Sequence, residues 1–292
     1  MIKSIAIEVT NNAFLPESYA YRDFFRGQDY QCELVEKGAS SALDYDAIIL
    51  FHGFHPFWKK YPKFVIGEYH SLSVGRYSRF KDALKRLLNV RSDLYIFLNE
   101  DVRKKLWFSK RTNYITRCMG YSKSDFERFK NNKKLFDVVY CGSYRLGLWD
   151  ELKRLADLGL KIAVVGSDVP FLHPKLTSFG RKSPQEAREI ISQSRLGLNY
   201  TPDISPLNIQ DSTKVIEYCA AGLGVITNRY QWVNDFEKER SATFLSLDDI
   251  DSIDDINNYK FIIPDVSDLS WDVIMSSCGI KCRIAQLNNV EI

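Results

Sequence analysis

Histidine is scarce in this chain: there are four in 292 residues, at positions 52, 55, 70 and 173. They are too dispersed to assemble a metal site, and no cluster of ligands has the spacing that zinc requires. Cysteine is equally thin. The six, at 32, 118, 141, 219, 278 and 282, include no Cys-x-x-Cys pair. Cys278 and Cys282, the two that lie close, fit neither a zinc knuckle nor a redox motif, and most of the six are expected to pack as small hydrophobes. No apolar run reaches the roughly 18 residues that a membrane-spanning helix needs. The opening residues, Met1-Ile-Lys-Ser-Ile-Ala-Ile-Glu-Val, are too short and end too acidic for a signal peptide. They read as a buried strand, and the chain as cytoplasmic. That strand leads into Thr10-Asn11-Asn12 and not into a glycine-rich phosphate loop.

Charge is present and unevenly spread. The net +3 hides a stretch from Arg76 to Lys134 with 17 Lys or Arg against 6 Asp or Glu. From Asp235 to the end, 5 basic residues face 12 acidic ones. Such segregation fits either a solvated helical face or an anionic partner for the basic half: a membrane surface, a lipid-diphosphate acceptor or nucleic acid. A basic helix over 79–89 sets Arg79, Lys81, Lys85 and Arg86 beside Phe80, Leu84, Leu87 and Leu88, and Arg103-Lys-Lys-Leu-Trp-Phe108 adds cations next to aromatics. Cations flanking an apolar stripe suit an anionic membrane interface, while packing of the leucines on a sheet is the competing expectation.

Short β-rich runs alternate with helix-period segments along most of the chain, the pattern of βαβ units in a parallel sheet covered on both faces. Strands are expected at 2–9, 31–35, 47–51, 63–68 and 94–99, with helices at 17–26 and 79–89. The alternation loosens from Gly120 to Lys134, a polar, basic stretch ending Asn-Asn-Lys-Lys that suits a linker. A second series follows, with strands at 136–141, 161–165, 196–200 and 225–227 and helices at 149–158, 184–193 and 212–221. Two doubly wound domains facing a cleft are therefore expected, residues 1–130 and 131–272, with a helical segment, 273–292, packing back on the first. Ligands in such sheets bind at the carboxyl ends of the strands.

Two helices are punctuated clearly. Ser183-Pro-Gln-Glu186 offers an N-cap serine, a proline at the first position and a capping-box glutamate. The helix from Ser212 stops at Gly222, where glycine suits the left-handed position after a helix. Its apolar stripe is Val215, Ile216, Cys219 and Ala220, with Lys214, Glu217 and Tyr218 at i, i+3 and i+4 on another face. Free N–H groups and the positive end of the helix dipole make its N-terminus a phosphate site, to which Ser212 and Thr213 add hydroxyls and Lys214 a charge. One turn on, Glu217 can accept from the vicinal hydroxyls of a ribose. A solvated Lys–Glu surface pair is the alternative.

The segment Asp211-Ser-Thr-Lys-Val-Ile-Glu-Tyr-Cys-Ala-Ala-Gly-Leu-Gly-Val-Ile-Thr227 resembles the Lys-x-x-Glu-Tyr-x-Ala signature of group 1, family 4-like glycosyltransferases of the GT-B fold. In the same order, Val138-Val-Tyr-Cys-Gly-Ser-Tyr-Arg145 is similar to the opening of their donor domain. Leu160 to Gly166 is similar to the next strand and glycine turn. Leu269-Ser-Trp-Asp272 resembles the entry to the closing helices, and Arg91 to Glu100 the last acceptor-domain strand. The resemblance implies a transferase that moves a sugar from a nucleotide donor to a glycan or lipid-linked glycan, as in bacterial surface polysaccharide synthesis. It implies retention of configuration, no cofactor and no metal; the basic half of the chain adds the expectation of an enzyme held peripherally at the inner face of the plasma membrane, and nucleic acid is not an expected partner. Ser143, Arg145, Ser212, Thr213 and Lys214 would hold the diphosphate, Glu217 the ribose, and His70, ending an acceptor-domain strand, would face the transferred sugar or the donor phosphate. His52 and His55 are rivals for that place. Inverting transfer would need a base, for which Glu68, His70 and Glu100 come first. The chain departs from the family where its first conserved carboxylate should stand: eight residues before Glu217 is Ile209, with Asp203 and Asp211 out of register. A nucleotide-sugar 2-epimerase of the same fold, or a binding protein without turnover, are the other readings.

Overall fold

The computed structural model describes residues 2–10, 15–51, 53–129 and 132–288. Asn11, Asn12, His52, Asn131 and the side chain of Arg79 lie outside the described residues. The chain divides into two compact units: residues 1–119 with 209–211 and 271–292, and residues 120–208 with 212–270.

Unit 1 is built from β1 (Ser4–Val9), α1 (Pro16–Arg26), β2 (Gln31–Glu36), β3 (Ala47–Phe51), β4 (Phe64–Tyr69), α2 (Ser78–Leu88), β5 (Leu94–Phe97), α3 (Glu100–Lys105) and β6 (Tyr114–Thr116). Its six strands are all parallel, in the order β2-β1-β3-β4-β5-β6. The runs Ile5-Ala-Ile and Ala47-Ile-Ile-Leu are buried along their whole length, as strands covered on both faces must be. Tyr69, Tyr95, Phe97, Leu106 and Phe108 form an aromatic cluster at the β4–β5 side. On α2, Phe80, Leu84 and Leu87 are exposed, so packing on the sheet does not account for the apolar stripe of this helix.

Unit 2 begins where a linker was expected. Gly120 to Lys134 instead contains α4 (Lys123–Phe129), whose Phe126 and Phe129 are buried. Two phenylalanines at i and i+3 suffice to give a seven-residue polar segment an inward face. Then come β7 (Phe136–Cys141), α5 (Leu148–Asp157), β8 (Ile162–Val165), β9 (Leu176–Ser178), α6 (Pro184–Ser192), β10 (Ser194–Asn199), α7 (Thr213–Ala220), β11 (Gly224–Thr227), α8 (Gln231–Arg240), β12 (Leu245–Ser246) and α9 (Ile253–Asn257). The parallel order β12-β11-β10-β7-β8-β9 is that of a dinucleotide-binding sheet. Its topological switch point falls between β7 and β10. The core joins Val138, Tyr140, Ile162, Val164, Leu196, Leu198 and Ile226 to one face of α5. The chain then returns to unit 1 as α10 (Trp271–Ser277) and α11 (Ile280–Asn288).

Both expected helix signals form. Ser183 Oγ accepts from Glu186 N at 3.3 Å while Glu186 accepts from Ser183 N at 2.9 Å, with Pro184 opening α6. At the end of α7, Gly222 takes φ +70°, and Leu223 N and Gly222 N donate to the carbonyls of Tyr218 and Cys219. That is a Schellman closure. The side of α7 assigned to Tyr218 is corrected: its ring is fully buried. It lies against Gly197 of β10, where an added Cβ would stand 2.2 Å from the ring. The phenol hydroxyl accepts from Cys141 N at 3.0 Å and donates to Leu198 O at 3.3 Å. The ring therefore fastens α7 to β7 and β10 together. Gly197→Ala is expected to cost at least about 1–3 kcal/mol through overpacking. In urea unfolding this appears as a lower midpoint at unchanged slope; an unshifted midpoint would show that the ring has room to move.

Candidate functional site

At the switch point of unit 2, the loop leaving β7 and the helix following β10 bring cations together. Ser212 is the N-cap of α7: its hydroxyl accepts from Val215 N at 3.4 Å and donates to Asn199 Oδ1 at 3.1 Å. Asn199 is itself fixed, donating to Thr227 Oγ1 and Tyr230 Oη. The hydroxyl of Ser212 is thus occupied in holding the helix start, which leaves backbone N–H groups, Thr213 and Lys214 to face a ligand. The stem of Lys214 passes over Gly142, where an added Cβ would stand 3.5 Å from its Cδ. Its ammonium lies 5.7 Å from the centre of the Tyr140 ring.

The side chains of Lys214 and Arg145 make neither a hydrogen bond nor an ion pair among the described residues. Burial, and then the nearby charge of Arg145, push the Lys214 ammonium down to about 8. Two cations without an ion pair among the described residues, beside a helix N-terminus, form a site that an anion would stabilise. Ser143 is exposed in the same loop, its carbonyl held by Tyr140 Oη at 2.6 Å. Glu217 is one turn down the helix. Burial raises its carboxyl above the usual range, partly offset by Arg188, whose Nε stands 3.6 Å away. Arg188 in turn binds Asp125 of α4 at 2.6 Å. Tyr140 and Arg188 were not singled out from the sequence. Tyr140 is visible there only as an inward position of β7, and Arg188 only as a polar residue of α6.

Ile209, standing where a carboxylate was looked for, is buried with Leu98 and Val102 in unit 1. Asp211 is also structural in unit 1: its carboxylate accepts from Met119 N at 2.9 Å and from Asn99 Nδ2 at 2.8 Å. The same asparagine caps α3 through Val102 N.

His70, in unit 1, follows the carboxyl end of β4. Its Nε2 is 2.5 Å from Glu68 Oε1 and its Nδ1 is 3.1 Å from Glu17 Oε1. Arg117 forms a buried ion pair with Glu68, stands 3.2 Å from His70 Nε2, and donates to Tyr21 Oη at 2.8 Å. Burial pushes the Glu68 carboxyl up, but Arg117 and then His70 outweigh it and hold the group ionised. Burial likewise disfavours the imidazolium of His70, and Glu68 and Glu17 reverse that, so its pKa is raised above 6.5. A protonated histidine donates through both ring nitrogens, and here both are engaged by carboxylates, Glu68 and Glu17, so in this arrangement the ring is no base. Glu68 is sealed from solvent, and Glu100 is paired with Arg103 on the surface of α3. The rival His55 is buried against Glu8 at 2.6 Å. Of the residues around His70, Glu68 stands two positions away and was named with it, whereas Glu17, Tyr21 and Arg117 were not legible, because they lie far from it in sequence.

No family model and no curated protein matches the chain. Solved structures do. A glycosyltransferase involved in avilamycin A biosynthesis superposes with a TM-score of 0.57 at 9% identity, covering 98% of this chain and 97% of that one. A UDP-N-acetylglucosamine 2-epimerase, so described provisionally, from Listeria monocytogenes gives 0.53 at 10% identity over 98% of both chains. A UDP-forming trehalose-phosphate synthase from Burkholderia xenovorans gives 0.52 at 9%, covering 99% and 96%. The likeness is one of fold: two Rossmann-like α/β units of the GT-B type, as the sequence resemblance implied.

The charge on His70 has a measurable sign. Its folded pKa lies above the value of about 6.5 in an unfolded chain. Its stabilisation is therefore complete below pH 6.5 and is lost as pH rises through the folded value. NMR titration is expected to place the imidazole above 6.5, and His70→Ala to flatten that part of the stability profile. A midpoint at or below 6.5 would mean that the two carboxylates do not hold the proton.

Proposed function

We propose that this chain is a glycosyltransferase that takes a nucleotide-sugar donor in unit 2 and passes the sugar to a glycan or lipid-linked glycan acceptor through unit 1. The observation that carries the reading is the convergence of unpaired Lys214 and Arg145 on the N-terminus of α7 at the switch point. The donor diphosphate would lie there, against the first-turn N–H groups, Thr213 and the Gly142–Arg145 loop, with the ribose diol on Glu217. In the transfer, the bond from the anomeric carbon to the diphosphate oxygen breaks, and the nucleoside diphosphate leaves with the electron pair. The acceptor hydroxyl bonds to the anomeric carbon. In the retaining course its proton goes to the departing phosphate oxygen. Charge that develops on the leaving group is met by fixed cations and a helix dipole, which is how such a step is accelerated without a metal. Both ring nitrogens of His70 are held by Glu68 and Glu17; turning the ring away from Glu17 would free Nδ1–H to donate to an oxygen of the sugar or of the donor phosphate.

The exposed stripe Phe80, Leu84 and Leu87, with exposed Lys104, Lys105 and Trp107 further along unit 1, supports peripheral docking on an anionic membrane. Each basic residue near such a surface contributes about 1 kcal/mol. A lipid-linked acceptor would be met there, as surface polysaccharide synthesis requires.

Incubating the chain with UDP-, GDP- and dTDP-sugars tests the function. Slow hydrolysis of one donor to free sugar, unchanged in EDTA, is the expected outcome. An epimerised sugar product would make the chain a nucleotide-sugar 2-epimerase, and binding without turnover a non-catalytic protein. Glu217→Ala should weaken the accepted donor by about 1–3 kcal/mol, the loss of a charged hydrogen-bond partner. Affinity should also fall as pH rises through about 8, where Lys214 loses its proton. Equal affinity in the variant and a flat pH profile would remove the donor from this site.

A further inference from the structure

Unit 1 contains a cavity that the transfer reaction does not use. It has a volume of about 470 Å³ and opens beside Phe64, Ser92, Asp93 and Asn113. These residues open or precede β4, β5 and β6, so the cavity lies at the amino ends of the strands. Substrates of open parallel sheets bind at the carboxyl ends, where His70 stands. The cavity is of the size of a small-molecule site, within the usual range of roughly 300–1,000 Å³.

Its lining is cationic. Arg86, Arg91 and Arg111 contribute to the wall, and none of them has an ion pair among the described residues. Arg86 is held in place by stacking, its guanidinium 4.7 Å from the Phe108 ring centre and 5.7 Å from that of Tyr95. The carboxylate in the lining, Asp93, is engaged by the backbone, accepting from Val65 N at 2.7 Å. Ser92 adds a buried hydroxyl with no hydrogen-bond partner among the described residues. An orphaned hydroxyl in a packed protein marks a missing partner. Half-buried Phe64 adds an aromatic side chain to the lining.

We propose that this cavity binds an organic phosphate, with the phosphate against Arg86, Arg91, Arg111 and Ser92 Oγ and the esterified part toward Phe64. Three guanidiniums supply more donors than a carboxylate can accept, and their planar forks match phosphate oxygens. The phosphate can arrive on a soluble metabolite or as the headgroup of an anionic lipid, and the same chemistry serves both.

Inorganic pyrophosphate is the probe, titrated calorimetrically into the full chain. Lys214→Met with Arg145→Gln removes the cations at the tip of α7, so that the binding left is that of the cavity. Adding Arg91→Gln and Arg111→Gln, both exposed positions that should fold normally, is expected to weaken it by roughly tenfold or more, as loss of charge-assisted hydrogen bonds does. The same pair in the otherwise unaltered chain should remove one component of a two-site isotherm, which keeps the test valid if the α7 variant does not fold. Co-sedimentation with phosphatidylcholine vesicles containing phosphatidic acid identifies the source. Vesicle binding lost with Arg91 and Arg111 points to a headgroup, and pyrophosphate binding without it to a soluble ligand. An isotherm indifferent to Arg91→Gln and Arg111→Gln overturns the proposal.

Discussion

Tyr218 occupies space that exists only because residue 197 is a glycine, and the placement of the candidate donor site follows from that contact. The ring lies on β10 while its hydroxyl ties the end of β7 and the carbonyl of Leu198. An eight-residue helix has little stability of its own. Fastened at both strands, and closed at its far end by the Gly222 turn, α7 has a fixed start. Ser212 and Asn199 then complete the cap, and Lys214 projects over Gly142. A shift of α7 by a fraction of a turn would carry Lys214 away from Arg145 and take the helix dipole off the switch point.

The two units treat buried charge in opposite ways. In unit 1, Arg117, Glu68, His70, Glu17 and Tyr21 neutralise one another within a few ångströms, so a strongly desolvated cluster remains ionised. Breaking such a cluster leaves an uncompensated charge, which costs far more than the pair contributes. In unit 2, Lys214 and Arg145 have no ion pair among the described residues, and burial, then the charge of Arg145, loosens the lysine's proton to about 8. Glu217 offsets this only in part, and no carboxylate among the described residues pairs with either cation. Ile209 and Asp211, the residues nearest in sequence to that role, are used instead for packing and for a backbone contact in unit 1.

Much of the architecture was readable from hydrophobic runs and helix punctuation, because β1, β3, β7 and β10 are buried on both faces and α6 carries a complete capping box. The misreadings have physical causes. In α4 two phenylalanines among charged residues resemble a linker until a neighbour exists for them to pack on. Tyr218 looked like a surface partner of Lys214 because helical spacing cannot tell that Gly197, twenty-one residues earlier, opens a slot for its ring. The tip of α7 could be named from one segment, since a helix start, a lysine and a glutamate are local features. Tyr140, Arg188 and the distant partners of His70 belong to the site only through tertiary contacts.

The central claim is that the tip of α7 holds the diphosphate of a nucleotide donor. A crystal structure of the chain soaked with a nucleoside diphosphate tests it directly. The expected result is a diphosphate in contact with Lys214 Nζ, Arg145 and the first-turn N–H groups of α7, with the ribose hydroxyls on Glu217. A nucleotide seated elsewhere while Lys214 remains without an anionic partner would contradict it.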